Sequence, residues 1–255
     1  MNAILAVARG TFREAVRDRV LFLVLVFGAA ALVLSRVIAP IALGEGPRIT
    51  VDLGLSALGL IGIAIVVLVG TQLVHKEIER RTIHVVLSRP LSRGQYLIGK
   101  WAGLTATMAA AVAAMTVILV AVGVSVRGPA IMGPIVQAAC MIACANAVLA
   151  ALAVLFSSLS TPVLSILYTL GLYATGYWTN DLRNFAEQLP GFGGDALRLV
   201  SYLIPNLELF NLRSHVALGE GTTVLHLALA IGYAATYTAA ALALAVIAFE
   251  RRELK

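Results

Sequence analysis

A charged island at residues 75–100 stands between two long uncharged stretches, and it constrains this chain more than any other feature. It holds six of the chain's 19 Lys and Arg residues: Lys76, Arg80, Arg81, Arg89, Arg93 and Lys100. Residues 53–74 before it and 101–126 after it carry no charged side chain. Each stretch exceeds the roughly 18 apolar residues that mark a membrane span. A polar segment pinned between two spans is a surface loop, and basic loops stay on the cytoplasmic side. This one is long and polar enough to dock a soluble partner.

Composition excludes an ordinary soluble domain. Hydrophobic residues make up 60% and charged residues 13%, against about 45–50% and about 25% in soluble proteins. The mean hydropathy is +0.93. A chain of 255 residues has room for about six spans of ~20 residues and their loops. We therefore expect one transmembrane domain over 1–255. The pI near 9.7 does not point to nucleic acid, because the positive charge lies beside the spans. There it sets topology and meets anionic lipid. Cys140 and Cys144 lie in an uncharged run, four residues apart and so on one helix face. They read as small, apolar-like side chains at a helix contact, rather than a disulfide or a copper site with Met141.

The fold class expected is an all-α membrane protein with six transmembrane helices. The first span covers about 20–38, the second 53–74 and the third 101–126. Residues 128–180 carry no charge, which is too long for one helix. The run Ser157-Ser158-Leu159-Ser160-Thr161-Pro162 breaks it, with Pro suited to a helix start. That gives a fourth span at about 131–156, a fifth at 162–179 and a sixth at about 222–249. Six spans leave both termini on one side. Thirteen Lys and Arg then lie on the side of the termini and the island, and six on the other. The positive-inside rule puts the termini and the island in the cytoplasm.

Two further segments have their own character. Arg9, Arg13 and Arg17 form one i,i+4 stripe, while Leu5, Phe12, Val16 and Val20 line a different face. That predicts an amphipathic interfacial helix over 1–19, lying on the inner membrane surface. The outer segment 181–221 mixes Gly191-Phe192-Gly193-Gly194 with apolar runs. It is too apolar for a free loop and too short for two spans, which suits short re-entrant or interfacial helices before the sixth span.

Tests for chemistry are mostly negative. Residues 94–101 come close to a P-loop, but Trp101 follows Gly99-Lys100 where a Ser or Thr hydroxyl must reach magnesium. Lys100-Trp101 reads instead as a pair anchored at the membrane interface. No nucleotide, metal or catalytic site is expected in the chain, and no enzyme activity of its own. His75, Glu79 and His84 sit in the island without a metal-binding spacing. His226 is the ionisable group set deepest in an uncharged span. Thr161, Ser165, Tyr168 and Thr175, at helical spacing, form a hydroxyl and aromatic seam in the fifth span, and Tyr233 and Tyr237 extend it in the sixth. Such a seam is either a substrate path or a helix contact.

The island also carries a family likeness. Glu77-Ile-Glu79-Arg80-Arg81-Thr82-Ile, then Leu87-Ser88-Arg89-Pro90-Leu-Ser-Arg93, then Gly99-Lys100 resembles the ABC-2 type transporter permeases. The branch it looks most like is the one grouped with the copper-enzyme maturation permease component. Residues 205–212, Pro-Asn-Leu-Glu-Leu-Phe-Asn-Leu, are similar to that branch too. The resemblance implies a permease subunit of an ABC transporter, an exporter in a bacterial inner (cytoplasmic) membrane. A coupling helix lies between spans two and three, with Glu77, Glu79, Arg80, Arg81, Thr82, Leu87, Ser88, Arg89 and Pro90 meeting a separate ATPase subunit. ATP and Mg are bound by that partner. A second copy or a paralogous permease completes the unit, with the first, second and fifth spans, and Gly59 and Gly62, as the pairing surface. The alternatives are an ion-coupled secondary transporter, which needs intramembrane charges, and a membrane-embedded enzyme, which needs a convergent catalytic set.

Overall fold

The computed structural model describes residues 3–38, 45–72, 92–189 and 191–250. All regular structure among them is helical. Among the described residues four helices are long and apolar enough to cross a bilayer: α3 (Gly46–Leu68), α4 (Arg93–Arg127), α5 (Met132–Leu159, with the tight turn before it) and α10 (Val224–Glu250). A fifth crossing results if α1 (Ala3–Val16) and α2 (Arg19–Ile38), bent by 61° between them, count as one broken span. The chain is thus an integral membrane protein. The remaining helices are α6 (Pro162–Tyr177), α7 (Thr179–Gln188), α8 (Phe192–Leu203) and α9 (Arg213–Leu218). We call the end of the bundle that receives residues 73–91 the loop end, and the opposite end the far end.

The helix boundaries depart from the apolar runs in instructive ways. α3 begins at Gly46, with Pro47 in its first turn. Its first two turns therefore carry Arg48 and Asp52, which an apolar-run criterion leaves out. A helix needs backbone hydrogen bonds throughout, but apolar side chains only within lipid. For the same reason α4 starts at Arg93 rather than Trp101. Its start is fixed by a capping box: Gln95 N–H donates to Ser92 Oγ at 3.2 Å, and Ser92 N–H donates to Gln95 Oε1 at 3.3 Å. At 35 residues it is about 52 Å long, well beyond the ~30 Å hydrocarbon core. Gly128 at φ +82° and Pro129 end it. The Ser160-Thr161-Pro162 break falls where the sequence predicts. α6 has only 16 residues, two fewer than expected, and α7 follows at once.

α5 is the centre of the bundle, packed against α3, α4, α6 and α10. Residues 148–154 are buried without interruption, so no side of α5 faces out at that level. α2 is its opposite. Phe22, Leu23, Val26, Phe27, Val33, Leu34 and Val37 are all exposed, as a lipid-facing helix requires. In lipid, burying apolar surface does not drive helices together, so close approach at small residues and interhelical polar contacts take over. Gly62 of α3 lies directly against the buried Asn146 of α5. Gly62 is therefore committed inside the bundle and is not on a pairing surface. Gly59 has open space beyond it.

Segment 181–221 folds as short helices. α7 and α8 pack on each other as a hairpin, and Arg183 stacks over Tyr202 at 4.9 Å. The hairpin exposes Phe185, Leu199, Leu203 and Phe192, the last at 88%.

Candidate functional site

The residues expected to meet an ATPase, Glu77, Glu79, Arg80, Arg81, Thr82, Leu87, Ser88, Arg89 and Pro90, lie outside the described residues. What is described is the junction into which their segment runs. On the α3 side, a tight turn at Gly70–Gln72 follows the helix. Ser157 Oγ at the end of α5 donates to the Thr71 carbonyl at 2.8 Å.

On the α4 side the junction is a knot of three helices. Arg93 Nη1 donates to the Phe249 and Glu250 carbonyls at 3.1 and 3.2 Å. Its guanidinium also lies over the Phe249 ring at 5.9 Å. These are carbonyls of the last described turn of α10, and their oxygens bear the negative partial charge that suits a guanidinium. Tyr96 stacks on Phe249 at 6.3 Å. One turn further along α4, Gly99 and Gly103 admit α1. A Cβ at Gly103 would stand 2.6 Å from the Ala8 carbonyl oxygen, and one at Gly99 would stand 2.7 Å from Val7 Cβ. This is a small-residue seam, the kind of contact that lets helix backbones approach.

Lys100 sits in this seam, only 4% exposed. Its ammonium is 4.0 Å from Glu14 of α1 and 5.7 Å from the Tyr96 ring centroid. Trp101 Nε1 donates to the Ala147 carbonyl of α5 at 3.1 Å. The pair expected at a membrane interface is thus turned inward, Lys100 toward α1 and the half-buried Trp101 toward α5. The Arg9, Arg13 and Arg17 stripe of α1 is exposed, as are Leu5 and Val16, while Thr11 and Ala15 are buried. α1 therefore keeps a small face for α4 and leaves its basic and apolar faces outward.

The hydroxyl and aromatic seam divides into two groups. Near the loop end, Ser165 is buried with its Oγ 3.0 Å from Ser160 Oγ. Tyr168 leans on Phe156 at 5.4 Å, and Thr161 is the exposed N-cap residue of α6. Thr175 Oγ1 donates to the Gly171 carbonyl of its own helix at 2.8 Å. Tyr233 and Tyr237 form the second group. Tyr233 Oη accepts from Asn206 N–H at 2.9 Å, and Tyr237 Oη donates to the Leu203 carbonyl at 2.9 Å. Together they pin the elbow after α8 to α10. His226 lies in the first turn of α10, with Nε2 3.2 Å from the Leu209 carbonyl.

The far end holds a site that the sequence reading passed over. Arg213, at the start of α9, reaches α3. Its Nη1 donates to Ser56 Oγ at 2.8 Å and its Nε to Asn211 Oδ1 at 3.1 Å. Two cavities meet at this side chain. The inner, about 140 Å³, is lined by Leu55, Gly59, Leu60, Ala138, Ile142 and Phe210 as well as the polar group. The outer, about 350 Å³, is lined by Tyr173, Ala174, Tyr177, Trp178, Glu208 and Asn211. Arg213 also lines both. In the sequence Arg213 counts only as an outer charge. Its one local signal was a cation directly after the apolar turn at 207–212. Among the described residues no three His, Cys, Asp or Glu side chains gather as a metal site. Cys140 is exposed, Cys144 is half-buried and Met141 lies in the core.

A family model described as ABC-2 family transporter protein matches residues 5–254. No curated protein sequence matches the chain.

Proposed function

The chain belongs to the ABC-2 family of transporter proteins, and from that membership we propose that it is the membrane permease subunit of an ABC exporter, powered by a separate ATPase subunit. The observation that carries this reading is the loop-end knot. The 73–91 segment runs directly into α4, a 35-residue helix whose first turns grip both α1 and the end of α10. A helix is stiff along its axis. A push on the loop would thus reach the far end, over 50 Å by the ~1.5 Å rise per residue, and would take two further helices with it. Glu77, Glu79, Arg80, Arg81, Thr82, Leu87, Ser88, Arg89 and Pro90 are the residues proposed to receive that push.

In this reading six helices cross the membrane: α2, α3, α4, α5, α6 and α10. α6 spans about 24 Å by itself, so it needs its flanking turns to complete the crossing. The termini and the loop lie in the cytoplasm, and ATP and Mg stay in the partner. The working unit has two permease chains, this one paired with itself or a paralogue. Support comes from an outward-opening apolar groove of about 570 Å³ between α2, α3 and α6, lined among others by Phe27, Leu60, Leu68 and Leu170. The same three helices contain the first, second and fifth expected spans.

The test is docking. Replacing Arg80 and Arg81 by Glu is expected to reduce co-purification of the ATPase subunit at least tenfold while leaving the thermal unfolding of the permease unchanged. Unchanged recovery of the ATPase after that reversal, and after deletion of residues 83–91, would falsify the docking assignment.

A further inference from the structure

Arg213 brings a guanidinium, a planar fork of five N–H donors, into a half-buried position. Both side chains that hold it, Ser56 and Asn211, are neutral. Neither bond uses Nη2, so among the described residues one edge of the guanidinium is uncommitted. Among the described residues no carboxylate comes within ion-pair distance of Arg213. Glu208 lines the same outer cavity, and it too has no cation within ion-pair distance among the described residues. Two opposite charges therefore share one cavity without closing on each other. Ser56 and Asn211 account for the separation, since they draw the guanidinium toward α3.

Charged groups that face a cavity within a bundle of apolar helices are costly to keep and commonly mark a site. A simple anion on Arg213 would be repelled by Glu208, and a simple cation at Glu208 by Arg213. A molecule carrying both charges satisfies both. The cavity wall agrees, since Tyr173, Tyr177 and the 62% exposed Trp178 offer aromatic faces of the kind that attract ammonium groups. We propose that the far-end cavity binds a zwitterionic group, with its phosphate or carboxylate on Arg213 and its ammonium between Glu208 and the Tyr177–Trp178 wall. The apolar inner cavity behind Arg213 has room for a short alkyl portion. Such a group can come from a phospholipid headgroup or from a free small zwitterion. Its use as a station for cargo rests on the transport reading above, whereas binding itself does not.

The test uses the full chain purified in detergent without any ATPase. Phosphoethanolamine, inorganic phosphate and ethanolamine are titrated separately against tryptophan fluorescence. Native mass spectrometry measures retained phosphatidylethanolamine against phosphatidylglycerol. Phosphoethanolamine is expected to saturate the site more tightly than either fragment. Arg213→Gln should weaken it on the order of tenfold or more, the value of a charge-assisted hydrogen bond. Glu208→Gln should weaken phosphoethanolamine while leaving phosphate unchanged or tighter. Loss of retained phosphatidylethanolamine in both variants identifies lipid as the source. Saturation by free phosphoethanolamine without such retention identifies the free zwitterion. Equal affinity for phosphate and phosphoethanolamine in the native chain, or a Glu208→Gln variant that keeps the full native preference for phosphoethanolamine, overturns the proposal. Glu208 makes no bond to Arg213, so this variant decides the matter even if Arg213→Gln fails to fold. ATPase co-purification tests the transport reading independently.

Discussion

At the loop end every described cation along the first turns of α4 is spent inside the fold, whereas at the far end Arg213 and Glu208 are left facing a cavity. Arg93 is consumed by the α10 carbonyls, and Lys100 lies between Glu14 and Tyr96. Glycines at 99 and 103 remove what space remains. Among the described residues Arg213 is steadied by neutral partners, and Gly59 borders a void rather than a neighbour. The contrast separates two tasks. A junction that passes on force has to be tightly packed, because a void would absorb displacement. A junction that holds a ligand has to keep space and unspent polar groups.

The largest effect should come from filling the loop-end seam. Gly103→Leu would drive a side chain into the Ala8 backbone carbonyl and Thr11, where backbone cannot give way. We expect a loss of roughly 1–3 kcal/mol or more, read as a lowered thermal unfolding midpoint in detergent. Gly59→Leu, its far-end counterpart, should cost little stability and instead shrink the inner cavity. Equal destabilisation by the two would erase the contrast.

A smaller effect is expected from Arg93→Met. The Phe249 and Glu250 carbonyls lose the Arg93 donor, at the low end of the about 1.5–3 kcal/mol of hydrogen bonds to charged groups, because the contact is partly exposed. Hydrogen exchange should accelerate in the last turn of α10. Arg213→Met should change stability less, because Ser56 Oγ still donates to the Asp52 carbonyl and Asn211 Oδ1 still accepts from the Arg213 N–H. If Arg213→Met proves the more destabilising, the far end is a structural clasp rather than a site.

The smallest effect is expected at Lys100. Lys100 is buried, with the exposed Glu14 carboxylate at 4.0 Å and the Tyr96 ring at 5.7 Å, so its ammonium pays desolvation against long contacts. Lys100→Met is thus expected to shift stability by less than about 1 kcal/mol, or to raise it. A loss of 3 kcal/mol would mean that the Glu14 contact holds α1 in place, and the glycine seam would lose its primacy.

Much of this architecture was legible in the residues. The uncharged runs gave the long helices, and the Ser160-Thr161-Pro162 break separated α5 from α6. The start of α4 was legible too, in Ser92 and Gln95 at capping-box spacing. An apolar-run criterion overlooks that signal because it reads lipid contact rather than helix formation. The inward turn of Lys100 and Trp101 was not legible, since a basic residue beside an aromatic at a span entrance has the same spelling whether lipid or neighbouring helices cover it.

What the sequence determined by itself is therefore membrane residence, helical class, the family likeness and the place of most helices. These depend on local composition, backbone hydrogen bonding and the breaking residues Gly and Pro. Only the tertiary structure decided which helix is central and which charges are spent. In a chain this apolar, α2 and α5 read alike, because lipid and protein interior are equally apolar and hydropathy cannot rank them. A glycine that admits a neighbour's side chain, such as Gly62 against Asn146, makes that choice. The bond between Ser56 and Arg213 joins positions 157 residues apart, a distance over which no local pattern carries information.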